Sequence, residues 1–399
     1  MTRTSRLVAA AVAVTGCVDP ATPDSAITCD IEMTHPRATE LQAIVDRPAA
    51  NGIPGLGVAV KTPDGIWAGA AGFADIENGV AMTPCHVHSW ESVAKTWYAT
   101  LALRLADAGQ LEPDGQVADV LPAPVLDGLA NTEDVSLREM MQHVSGIPDF
   151  NDQSAYLTNE LDDPDDDDTP MDLLDFVRGQ PAHFEIGEEY RYSDTNFVLL
   201  ALAIDEITGD RSDAMAREIF VPLGLEHTWA PLPGDPVPAG RVNSYWELPG
   251  GQLENVSDYQ AAYDVQVPGG GGLLSTPLDS LTFVDAIVSG TLLEERSYLA
   301  QLDWTEQSVQ WADERGRDNG YAYGLGTSRR IWTQDGVPHE WAGHTGGGAG
   351  TTAIIMARRD GQYAVAVAIN LGGFLGGPLN ELVDESWIQE LIAAAETDG

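Results

Sequence analysis

Strand-like patterns gather at the two ends of this chain of 399 residues, and the long stretch between them reads as mostly helical. Near the N-terminus, Gly57 to Lys61 and Ile66 to Phe73 flank Pro63-Asp64-Gly65 and read as a hairpin. Near the C-terminus, Tyr321 to Ile331, Thr351 to Met356 and Tyr363 to Ile369 read as further strands, the last two joined at Asp360-Gly361. From about Ser89 to Ala286 the pattern is helical with long polar loops, and the apolar-periodic run Leu382 to Ala395 predicts a closing helix. Neither end is an obvious independent unit, and no internal repeat is present.

The chain contains two lysines, Lys61 and Lys95. The second stands three positions after Ser92, heading a segment in which Val93, Trp97, Leu101 and Leu105 recur at helical spacing until Gly109 ends it. Ser92 then occupies the first turn of an amphipathic helix with Lys95 on the same side, their Cβ atoms about 5–6 Å apart. A hydroxyl and an amine so placed can share a proton. The free amides and positive dipole end of a helix N-terminus also favour the negative charge that develops when a nucleophile attacks a carbonyl. Taken alone, Ser-x-x-Lys reads better as a capping Ser followed by a solvated Lys.

Two further segments tip that balance. Tyr190-Arg191-Tyr192-Ser193-Asp194 precedes the apolar run Phe197 to Leu200, and His344-Thr345-Gly346-Gly347 precedes the strand-like Thr351 to Met356. With Ser92-Val93-Ala94-Lys95, these resemble the three motifs of the serine β-lactamase and penicillin-binding superfamily, in the class C-related branch that uses a catalytic Tyr. His143-Val144-Ser145-Gly146-Ile147-Pro148, Gly271 to Thr276 and Tyr323-Gly324-Leu325-Gly326 extend the resemblance over roughly residues 40–395. It implies an α+β fold, an antiparallel sheet built from both chain ends and flanked by helices, plus a mostly helical domain. The expected layout is one catalytic unit over 37–397, its sheet part at about 37–88 and 290–397 and its helical part at about 89–289. The N- and C-terminal strands must then find each other to complete one sheet.

The resemblance also implies roles. Ser92 would attack a carbonyl while Tyr192, as phenolate or through a proton shared with Lys95, takes its proton and later delivers it to the leaving group. The backbone amides of Ser92 and Gly347 would form the oxyanion hole. Asp194, His344, Thr345 and Gly346 would face substrate. Two departures stand out. Asp194 replaces the Asn of many relatives, turning an amide donor into a carboxylate that would hold Lys95 as the ammonium. His344 stands where β-lactamases of this branch have Lys, and a largely neutral imidazole anchors a substrate carboxylate more weakly. Arg330, on the preceding strand, is a candidate to supply that charge, or else an ordinary solvent-facing Arg. The activity implied is that of a D-alanyl-D-alanine carboxypeptidase-like serine hydrolase acting on D-amino-acid peptides, including peptidoglycan-type peptides, or related amides. A carboxylesterase is the alternative, followed by a class C-like β-lactamase acting on β-lactams and by a non-catalytic binding module. No cofactor is expected.

The N-terminus reads as an export signal. Arg3 and Arg6 precede the apolar run Leu7 to Val14, and Val14-Thr15-Gly16-Cys17 resembles a bacterial lipobox, making Cys17 the expected lipidation site. The run is too short to span a bilayer, which needs about 20 residues. Residues 18–36 would form a tether, and the protein would be lipid-anchored to the outer face of the cell envelope. Such an oxidising compartment permits Cys29 and Cys85 to pair. The net charge of −42, with 62 acidic residues against 20 basic ones, fits a surface kept soluble in concentrated salt, or the bias of an acidic extracellular lineage, and disfavours nucleic-acid partners on electrostatic grounds.

Several tempting motifs fail on spacing. Asp162, Asp163 and Asp165 to Asp168 lack the turn Gly of an EF-hand. His339 and His344 stand five apart, not the four that place two ligands on one helix face. His86 and His88 lack a third metal ligand. Gly269 to Gly272 is not followed by Lys, and reads instead as leading into a helix capped by Thr276 with Pro277 at its first position and Asp279 at its third. No metal site is therefore expected.

Overall fold

The computed structural model describes residue 29 and residues 35–395, except 157–168, 249, 318, 335, 349 and 373–378. Cys17 and the acidic segment 162–168 lie outside the described residues. Among the described residues no helix is long and apolar enough to cross a membrane.

The frame is an eight-stranded antiparallel sheet. Its strands are β1 (Gly55–Thr62), β2 (Gly65–Asp75), β3 (Val80–Ala81), β4 (Ala322–Tyr323), β5 (Ser328–Gln334), β6 (Val337–Gly347), β7 (Thr352–Arg358) and β8 (Ala364–Ile369). They lie in the order β3-β2-β1-β8-β7-β6-β5-β4. The two chain ends meet at β1 and β8, where Val58 faces Val367 and Val60 faces Val365. The expected strand over Tyr321 to Ile331 is instead two short strands, because Gly326 turns the chain with a φ of 61°.

The alternation along β8 shows how sequence chooses the two faces of the sheet. Ala364, Ala366 and Ala368 point to one side and Val365, Val367 and Ile369 to the other. The alanine face admits helix packing at close range. There α2 (Ala94–Asp107) and α4 (Pro277–Ser289) bury Leu101, Phe283, Val284 and Ile287, with Trp97 stacked on Phe283 at 3.5 Å between ring centroids. On the branched face lie α1 (Ala38–Ala50), through Leu41 and Val45, and α5 (Glu385–Ala395), through Ile388, Leu391 and Ile392. Burying a side chain such as Val367 contributes about 1.5–3 kcal/mol, and Val367→Asp would replace that gain with an unpaired buried carboxylate.

Local caps agree with the sequence. Thr276 accepts a hydrogen bond from the Asp279 amide at the start of α4. The closing helix begins at Glu385, not Leu382, because Asp384 accepts from the Trp387 amide at 2.9 Å and caps it there. A disulfide joins Cys29 to Cys85. The segment after Cys85 is held by the pairing of His88–Ser89 with Leu274–Ser275 and by the Trp90 amide, which donates to Leu273 O at 3.1 Å. That segment delivers the chain to Ser92.

Candidate active site

Three chain segments converge at one end of the sheet: the turn entering α2, the start of α3 (Asp194–Thr208), and the end of β6. Ser92 sits in the 3-10 turn Glu91–Val93. Lys95, one turn on, is completely buried, and its Nζ donates to Ser92 Oγ at 3.0 Å. The same ammonium donates to Asp194 Oδ1, while Asp194 Oδ2 accepts from Asn151 Nδ2 at 2.6 Å. Asp194 is thus turned toward Lys95, and both of its oxygens are engaged inside the protein. This corrects the expectation that it faces substrate: a carboxylate beside a buried ammonium is drawn to the charge.

Tyr192 enters from the strand-like segment before α3. Its ring packs on the His143 imidazole, 4.2 Å between centroids, and Lys95 Nζ lies 4.9 Å from its centroid. Burial above all, and then the negative charge of Asp194, push the phenol well above its ordinary value, opposed by a hydrogen bond with Ser92. A phenolate standing ready in the free enzyme is therefore disfavoured, which leaves the shared-proton form of the expected scheme. His143 is fixed beneath it. Its Nδ1 accepts from the Ser193 amide at 3.2 Å and burial pulls its pKa well down, so it serves as a neutral platform.

The His344 side chain is also spoken for. Nδ1 lies 2.6 Å from Thr345 O, so it carries the proton, and Nε2 accepts from Tyr323 Oη at 2.8 Å. Burial, reinforced by Lys95, lowers its pKa to about 3. This histidine is neutral throughout the physiological range. Arg330 is neither solvent-facing nor a free charge, for its Nε donates to Glu385 Oε1 at 2.9 Å and its guanidinium lies 4.8 Å over the Tyr321 ring. Glu385, the first residue of α5, neutralises it from the end of the chain.

The last two residues of β6 come close to the nucleophile. A Cβ on Gly346 would lie 2.3 Å from Trp90 O and 3.3 Å from Ser92 N, so only glycine lets the strand pass. Gly347 then lines, with Ser92 and Thr345, a cavity of about 300 Å³. Its walls are mostly aromatic: Tyr190, Tyr192, Trp311, Tyr321 and Tyr323. Arg317 lies at this cavity, its guanidinium 4.8 Å over the Trp311 ring. Among the described residues, no cluster of three or more His, Cys, Asp or Glu is placed to hold a metal.

Sequence reasoning missed Glu91, Asn151, His143 as a platform, and the aromatic wall. For His143 a signal existed in the His143 to Pro148 stretch; for the others, only the tertiary approach reveals the contact.

The sequence matches the beta-lactamase family model over residues 41–384. The chain belongs to the beta-lactamase family. This family comprises serine hydrolases, and several solved structures share the fold. A D-stereospecific amidohydrolase from Streptomyces sp. superposes with a TM-score of 0.71 at 24% identity, covering 84% of this chain and 94% of that one. The D-amino acid amidase of Ochrobactrum anthropi SV3 complexed with D-phenylalanine gives 0.71 at 22%, covering 90% and 99%. A penicillin binding protein from Bacillus halodurans gives 0.69 at 20%, covering 90% and 100%. Likeness at these identities establishes the fold. Among curated proteins, Penicillin-binding protein 4 of Amycolatopsis lactamdurans is 30% identical over 184 residues, 44% of this chain and 44% of its own length. Protein flp of Staphylococcus aureus strain MW2 is 22% identical over 199 residues, 49% of this chain and 39% of its own length. This beta-lactamase family chain spans less than half the length of either relative.

Proposed function

We propose that this protein hydrolyses D-amino-acid peptides or related amides through an acyl-enzyme on Ser92, in the manner of a D-alanyl-D-alanine carboxypeptidase. The observation that carries the reading is the buried Lys95 ammonium, 3.0 Å from Ser92 Oγ, beside an aromatic cavity into which Ser92, Tyr192 and Gly347 open. An exposed structural lysine would not be buried against a serine with a carboxylate behind it. The likeness to a D-stereospecific amidohydrolase and a D-amino acid amidase supports the substrate class.

In this scheme Ser92 Oγ attacks the substrate carbonyl carbon, and the carbonyl oxygen takes up negative charge against the amides of Ser92 and Gly347. Lys95, paired with Asp194, donates to Oγ and stabilises the negative charge. Tyr192 receives the Ser92 proton as it hands its own to the departing nitrogen, so no free phenolate accumulates. Water then repeats the sequence in reverse and frees Ser92. With Arg330 bound to Glu385 and His344 neutral, neither brings a free charge to the cavity, and its aromatic wall favours an apolar or aromatic group there.

A carboxylesterase is the second reading. It is favoured by Asp194, which presents no side-chain NH2 to hold an amide carbonyl. Rates on D-phenylalanine amide, L-phenylalanine amide and phenyl acetate, with Ser92→Ala as control, decide the matter. Preference for the D-amide supports the proposal, turnover of the ester alone moves the assignment to the esterase, and the absence of any Ser92-dependent turnover contradicts both. We further propose export and anchoring through Cys17. Cys17→Ser should release the protein from membrane fractions, and retention there would count against the anchor.

A further inference from the structure

Glu91 immediately precedes the nucleophile and adopts a φ of 50°, a left-handed backbone that a side chain disfavours. The residue is 1% exposed. Oε1 accepts from Gln260 Nε2 at 2.7 Å, and Gln260 Oε1 in turn accepts from the Gly350 amide at 3.2 Å. One amide side chain therefore spans from the nucleophile turn to the glycine loop that follows Gly347. That loop lies flat on the carboxyl group: a Cβ on Gly348 would sit 2.4 Å from Oε1 and 2.8 Å from Oε2. Oε2 is buried and has no hydrogen-bond partner among the described residues.

We propose that Glu91 is a positioning residue, which through Gln260 clamps the nucleophile turn to the loop carrying the Gly347 amide and does so as the neutral acid. The inference rests on the Ser92 acyl-enzyme reading. The charges around the carboxyl group require its neutrality. From the helix Ser257–Gln266 come Asp264, which is held by Arg241 and Ser89, and the Tyr263 phenol; from α2 comes Lys95; from α3 comes Asp194. The single ammonium is already paired with Asp194, and the glycine loops on either side bring no cation. Burial first, and Asp264 second, push the Glu91 pKa up to about 8. Ionisation would set a second negative charge beside Asp264, next to where the oxyanion forms, with no donor for Oε2. The rate of acylation then falls while substrate binding in the aromatic cavity is little affected.

The test is the pH dependence of Ser92 acylation from pH 6 to 10, read by intact mass with a serine-directed acylating ester, in wild type, Glu91→Ala and Glu91→Gln. Wild type should lose about tenfold per pH unit above about pH 8. Glu91→Ala should lose about 10–100-fold in kcat at neutral pH with a smaller change in KM. Glu91→Gln should restore most of that rate and extend the plateau by at least about one pH unit. A wild-type profile flat between pH 7 and 9, or a Glu91→Gln profile with the wild-type alkaline fall, overturns the proposal while leaving the acyl-enzyme reading intact. Absence of any Ser92 adduct in wild type overturns both. Should Glu91→Gln fail to fold, carboxyl carbon NMR of wild type replaces it: Glu91 must titrate near pH 8 together with the Gly350 amide, and titration below pH 6 overturns the proposal.

Discussion

Two buried carboxyl groups flank Ser92, and they are built in opposite ways. Asp194 receives an ammonium and an amide, so both oxygens are satisfied as an anion. Glu91 receives one amide and otherwise meets glycine backbone and other negative groups. Burial alone does not decide the charge of a carboxyl group; the donors that reach it do. On the Lys95 side the site holds fixed charge for proton handling. On the Glu91 side it holds a neutral hydrogen-bonded strut, and the negative charge of the reaction develops next to the neutral side.

The largest effect is expected where that contrast is broken on the charged side. Asp194→Ala leaves a buried ammonium without its counter-charge and should cost on the order of 3–5 kcal/mol in urea denaturation. A loss below about 1 kcal/mol would show that the pair is not the anchor described. Next, Tyr192→Phe removes the proton relay while keeping the ring on His143, and should lower kcat by about 10²–10⁴-fold with little change in melting temperature. A near-normal kcat would reassign the relay to another group.

On the neutral side, the folded chain holds the Glu91 proton up to about pH 8 against an ordinary value of 4.5. The group's contribution to stability is therefore full below about pH 4.5 and is lost as the pH rises toward 8. Against pH 5, wild type at pH 8 should lose stability relative to Glu91→Gln by on the order of 1–3 kcal/mol, read from paired urea titrations. A difference independent of pH would mean that Glu91 is ionised in the fold. The smallest effect belongs to Glu385→Gln. Freeing Arg330 at the inner cavity should lower KM a few-fold for a substrate bearing a carboxylate and leave an uncharged amide unaffected, which comparison of the two substrates reads directly.

What was legible in the sequence follows the range of the interactions. Ser92 and Lys95 are one helical turn apart, so a spacing of three residues sufficed to place hydroxyl and amine together. The β1–β2 hairpin and the Thr276 cap are equally local. The sheet that joins β1 to β8 was reached through family likeness, since the partners lie some 300 residues apart. Asp194 was correctly set beside Lys95, but its second partner Asn151 stands on a different segment with no periodic signature. Arg330 was offered as a free charge because Glu385, 55 residues away, gives no local sign that α5 will deliver its carboxylate there. Glu91 was passed over although it adjoins the nucleophile. Its left-handed backbone and its link to Gln260, 169 residues on, exist only once the glycine loop has closed over it.

Every step of the proposed reaction depends on Ser92 being the activated nucleophile. Intact-mass analysis and peptide mapping after reaction with a fluorophosphonate ester test it most directly, comparing wild type with Ser92→Ala and Lys95→Ala. A single adduct on Ser92, absent from Ser92→Ala and formed at least about 100-fold more slowly in Lys95→Ala, is the predicted result. An unmodified wild-type protein, or an adduct on a different residue, would rule out Ser92 as the nucleophile.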